Sequence, residues 1–136
     1  MMSLSGGRVW HAYGNVQLLD NPFREQVVVH RADGEAERAA CRERWLYCAA
    51  NGGVLVSPFI SRDEKEIRAL AEEWGGKTIL IRNEPLGERF KPAATDFDRC
   101  LEGRLLILAP PDDSMRQLTR PVCMQLNSTA ASIAAD

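Results

Sequence analysis

The chain is expected to fold as one α/β domain, three layers deep, with a parallel sheet between two layers of helix. Three observations predict it. Four short apolar runs, Val27-Val28-Val29, Val54-Leu55-Val56, Thr78-Ile79-Leu80-Ile81 and Leu105-Leu106-Ile107-Leu108, recur at near-regular intervals. Helix-like stretches separate or follow them, and short β-branched runs alternating with helices are the pattern of a parallel sheet covered on both faces. Glycine pairs at Gly52-Gly53 and Gly75-Gly76 fall after a helix and before a strand. There they act as C-cap and turn residues rather than as a phosphate loop.

Residues 1–25 read as an irregular lead-in with turn signals at Gly14-Asn15 and Asp20-Asn21-Pro22. Its apolar residues, including Trp10, Tyr13 and Leu18, imply that it packs on the domain. A first strand is expected over residues 26–30 and a first helix over 35–50. That helix carries two apolar stripes: a broad one with Ala36, Ala39, Ala40, Leu46, Tyr47 and Ala50, and a second with Cys41, Trp45 and Cys48. A surface helix normally needs one such face. The second is either covered by the lead-in or forms a homodimer surface.

The second helix is the clearest element. Ser61 is an N-cap with Glu64 three residues later, a capping box, and Ile67, Leu70, Ala71 and Trp74 follow at core spacing. Between strands 3 and 4, Pro85, Gly87 and Pro92 leave a long loop over 84–94 and a short helix over 95–101. The last helix starts near Thr119, with Pro121 in its first turn and Val122, Leu126, Thr129, Ala130 and Ile133 as its apolar face. The whole chain, 1–136, is a single domain of 136 residues. The expected strand order is 3-2-1-4. It sets the topological switch point between strands 1 and 4, where open α/β sheets bind ligands.

With 17 Lys+Arg against 19 Asp+Glu, the net charge of −2 weighs against indiscriminate DNA coating. The apolar runs are too short to span a bilayer. Residues 1–7 lack a charged segment followed by an apolar one, so no signal peptide is expected and the chain reads as cytoplasmic. Its four cysteines lack C-x-x-C spacing and read as reduced, mostly buried thiols. No metal-ligand spacing, P-loop, G-x-G-x-x-G after strand 1 or G-x-S-x-G elbow is present. No cofactor or metal is therefore expected.

Three segments carry a resemblance. They are Tyr13-Gly14-Asn15-Val16-Gln17-Leu18-Leu19-Asp20, then Ser57-Pro58-Phe59-Ile60-Ser61-Arg62-Asp63-Glu64-Lys65, and Gly103-Arg104-Leu105-Leu106-Ile107-Leu108-Ala109-Pro110 with Leu118-Thr119-Arg120 and Asn127 after it. Together they resemble the Rossmann-like domain of the DNA-processing protein A (DprA/Smf) family, within the group that includes LOG-type nucleotide hydrolases. The resemblance spans about residues 13–134. It implies a nucleotide- or DNA-phosphate site at the strand ends, and often self-association. The chain departs from the family where Pro58 and Phe59 replace loop glycines and where the Arg-Asn pair becomes Leu126-Asn127. It also lacks the Pro-Gly-Gly-x-Gly-Thr stretch of the hydrolases.

The expected phosphate contacts are Arg31, Ser57, Ser61, Arg82, Arg116, Thr119 and Arg120, with Asn83 and Asn127 as orienting amides. Arginine forks and free N–H groups at helix N-termini suit such anions. The partner is then a nucleotide or single-stranded nucleic acid, held without catalysis. Two other readings compete. A small nucleotide-processing hydrolase would use Glu64 or His30 as its acid or base. A protein-interaction module would self-associate through Cys41, Trp45 and Cys48. Phe59, Phe90 and Trp10 could stack on a base, although core packing is the better assignment for at least two of them.

Overall fold

A computed structural model describes residues 2–3 and 9–135. Most of the segment on which the signal-peptide reading rests lies outside them. The elements are β1 (Met2–Ser3), β2 (Val9–Gly14), a 3-10 turn (Val16–Asp20), β3 (Arg24–Gln26), α1 (Glu35–Ala50), β4 (Val54–Ser57), α2 (Arg62–Glu73), β5 (Lys77–Ile81), α3 (Ala94–Leu101), β6 (Leu105–Ala109) and α4 (Arg120–Ala135).

The sheet order is β1-β2-β6-β5-β4-β3. Strands β3 to β6 run parallel, whereas β2 pairs antiparallel with β6. The α/β class is as expected, but the four-stranded, all-parallel sheet is not. The lead-in supplies the antiparallel strand β2, and β1 extends that edge by two residues. The order 3-2-1-4 is also corrected. The four expected strands lie in simple sequence order, so the first and last are separated by the other two.

That order fixes the layers. Each crossover from β3 to β6 steps one strand in the same direction, and a constant handedness places its helix on the same face every time. Trp45, Cys48 and Ala49 of α1 and Ile67 and Ala71 of α2 pack there with Val27 and Leu55. Helix α3 joins α2 through ion pairs, Arg68 to Asp96 at 2.9 Å and Arg99 to Glu72 at 2.5 Å, with Arg68 also on Glu72 within α2 at 2.8 Å. The chain then turns over the sheet, and Leu126, Ala130 and Ile133 of α4 cover the opposite face with Trp10 and Leu18.

The helices follow their local signals. Ser61 accepts from the Glu64 N–H at 3.2 Å and the Glu64 carboxylate accepts from Ser61 N, completing the capping box. Gly52 and Gly75 take φ of +81° and +74°, the left-handed conformation that ends a helix cheaply only in glycine. The first strand is displaced from its expected place. The regular strand stops at Gln26, and Val27 adds one more ladder bond, its N–H donating to Val56 O at 3.0 Å. Val29 then donates to a side chain instead of a strand.

Helix α1 shows which of its two apolar stripes faces the core. Trp45 and Cys48 are 2% and 0% exposed and Cys41 packs against the same cluster, so this stripe is the core face. It meets β4, α2 and the segment after β3. That burial leaves Trp45 and Cys48 no surface to offer a second copy, and Cys41 only part of one. The alanine stripe faces solvent instead. Of the four free cysteines only Cys48 is fully buried, the other three being half-buried, which corrects the reading of mostly buried thiols. Burial lifts the Cys48 thiol to about 11 from 9.0, helped by Glu25. Among the described residues no helix is long and apolar enough to cross a membrane.

Candidate nucleotide site

Four loops leave the carboxyl ends of β3, β4, β5 and β6. The linear strand order sets Arg31, after β3, three strands from the loop after β6, or about 14 Å at the usual strand spacing. The expected switch-point pairing of Arg31 with that loop is therefore corrected. Arg31 is exposed, and its carbonyl accepts from Arg38.

The ends of β3 and β4 are closed by one side chain. Glu64 is 4% exposed, and its carboxylate accepts from Val29 N at 2.9 Å, Ile60 N at 3.0 Å and Ser61 N at 3.2 Å. Three half-buried donors that no ladder or helix bond satisfies thus share one carboxylate. Glu64 holds two loops together and has no oxygen left free to act on a substrate. Ser57 is fully buried, and its hydroxyl accepts from Phe59 N at 2.9 Å. Its position inside the turn leaves it no surface for a ligand. Phe59 adopts φ +46°, a left-handed conformation rare outside glycine, and buries its ring under Arg68. In the resemblance this is where glycines stand. Phe59 and Trp10, at 3% and 1% exposed, are core residues, which leaves Phe90 as the aromatic residue available to a base.

The ends of β5 and β6 remain open. A cavity of about 360 Å³ lies between the sheet and the loop that follows β5, and Pro58, Arg82, Asn83, Phe90, Lys91 and Asp96 are among its lining residues. The Arg82 guanidinium stands 4.8 Å over the Phe90 ring, and Phe90 meets Tyr13 edge-on at 5.3 Å. Lys91 stands 5.0 Å over Phe97. Asn83 ties the two open loops together, donating to Met115 O at 3.2 Å and Arg116 O at 2.7 Å. Glu84 approaches Arg82 at 3.7 Å and Arg116 at 3.5 Å.

The expected contacts therefore separate into groups. Arg82, Asn83 and Arg116 come together, with Thr119 beside Arg116 in the next hollow. Ser57 and Ser61 are used by the backbone. Arg120 begins α4 and is exposed. Asn127 lies toward β3, its carbonyl accepting from Gln26 at 2.8 Å, away from the open loops. His30 is exposed, and its backbone N–H donates to Asp33 at 3.0 Å. Lys91 and Asp96 were missed by sequence reading. The proline-marked loop was the signal that contained Lys91, and only the folded chain sets Asp96 of α3 beneath it. Among the described residues no cluster of three or more His, Cys, Asp or Glu could hold a metal.

Comparison with known proteins adds no relative: no family model, curated protein or solved structure matches this chain.

Proposed function

We propose that this chain is a non-catalytic module of DprA-like ancestry that binds the phosphate of a nucleotide, free or within a single strand, at the open ends of β5 and β6. One observation carries the reading. Arg82 and Lys91 each stand over an aromatic ring at the rim of a cavity of about 360 Å³. Cations beside half-buried aromatic rings match a ligand with a charged phosphate and a flat base. The volume lies at the small end of ligand pockets, which suits a mononucleotide unit. Arg116 and Thr119 line a separate hollow in the loop after β6, tied to this one through Asn83. The hydrolase reading has less support, because Glu64 is committed to three backbone donors.

A thermal-shift panel of nucleoside mono- and diphosphates, ADP-ribose and short single-stranded DNA tests this. A ligand at a hundredfold excess over its Kd adds about 2.7 kcal/mol of stability. The expected result is stabilisation by one class, lost in Arg82→Ala and retained in Arg31→Ala. Silence across the panel in the folded protein overturns the proposal.

A further inference from the structure

A second cleft, of about 190 Å³, lies between α1 and α2 on the outer side of the closed strand ends. Its walls carry opposite charge. Arg38 and Arg42, one turn apart, come from α1, and Asp63 and Glu66, three residues apart, come from α2. Trp45 and Ile67, both nearly buried, form an apolar floor.

The two cross-cleft pairs are not equivalent. Arg38 reaches Asp63 at 3.4 Å and closes one end. One turn further along, Arg42 has no ion pair among the described residues, and Glu66 turns to Arg62 of its own helix at 3.8 Å. A cation and a carboxylate thus face one another across an apolar floor without meeting. The ligand that fits carries both charges on a compact apolar body, because a purely anionic or cationic guest would leave the opposite wall unanswered.

We propose that this cleft binds a small zwitterion, an α-amino acid with a compact aliphatic or thioether side chain. Its carboxylate lies on Arg42 and its ammonium on Glu66, with the side chain over Trp45 and Ile67. The volume is below that of drug-sized pockets and is matched to such a guest. The site shares no residue with the cavity at β5 and β6, so its fate is independent of the nucleotide reading.

The Trp45 indole N–H has no hydrogen-bond partner, so its resonance is a sensitive reporter of a guest above the ring. It is one of three tryptophans in the chain, assigned by Trp45→Phe. Titration of the intact ¹⁵N-labelled chain with L-leucine and L-methionine is expected to move this signal saturably at millimolar concentration. N-acetyl-leucine and leucine amide, each short of one charge, should leave it unmoved. Arg42→Ala and Glu66→Gln, both at solvent-exposed positions, should each weaken binding about tenfold or more. No saturable shift with either amino acid overturns the proposal. So does a shift that persists in both variants or appears equally with the blocked compounds.

Discussion

The two halves of the sheet's carboxyl edge make opposite use of the same kind of loop. At β3 and β4, Glu64 takes the unpaired N–H groups of Val29, Ile60 and Ser61, and Phe59 fills the turn. At β5 and β6 the loops are joined mainly through Asn83, and a cavity stays open beneath Arg82. Parallel strands end in unpaired backbone groups wherever they stop. What differs is whether a side chain of the same domain consumes them. Where one does, the edge contributes stability; where none does, a cavity stays open.

Substitutions that attack one half at a time should break this contrast. The largest effect is expected at Glu64. Removing its carboxylate in Glu64→Ala orphans three backbone donors, and urea denaturation should show a loss of about 3 kcal/mol. Glu64→Gln keeps one acceptor oxygen and should fall between. A variant as stable as the parent would show that this edge is not held as described. At the open half, Asn83→Ala removes two bonds between exposed loops and should cost only about 1 kcal/mol by the same measurement. Arg82→Ala should change the unliganded stability by no more than about 0.5 kcal/mol, because its ion pair with Glu84 is exposed and long. Under the proposed function, its effect falls on ligand binding instead.

The ion pairs joining α2 to α3 sharpen the comparison through pH. Burial pushes the Glu72 carboxyl above its usual range, and Arg68 and Arg99 offset this only in part. The folded state therefore holds that proton more tightly than the unfolded chain does. This contribution favours folding below the unfolded pKa and is lost as pH rises through the folded one. Relative to the parent, Glu72→Gln should lack this downward component in a stability profile taken from acid toward neutral pH. Identical slopes in the two proteins would show that Glu72 does not titrate in this way.

Local features were legible in the sequence and neighbourhood was not. The span of α1, the capping box at Ser61 and the cap glycines follow from spacing and backbone preference, which are properties of a few adjacent residues. Strand order is not such a property. The runs at β3, β4, β5 and β6 are all apolar, and nothing in Val54-Leu55-Val56 says which run lies beside it. The same limit misplaced the core face of α1, since either stripe is sterically able to pack. Trp45 was settled by what β4 and α2 offered it. Arg82, Asn83 and Arg116 lie together because loops after parallel strands converge wherever those strands are neighbours. Arg31 was lost to the site because its strand is not one.

The linear order β3-β4-β5-β6 also says something about how the chain can assemble as it is made. Each parallel strand pairs with the one synthesised just before it, so the sheet can grow one βα unit at a time, with only short stretches of chain to close. The exception is β2. Its partner is β6, and His11 pairs with Ala109. Strand β2 must therefore wait for β6 before it can dock. During synthesis at the usual few residues per second this leaves Trp10 without its shelter for many seconds. Trp10, made early, is among the last residues to be buried.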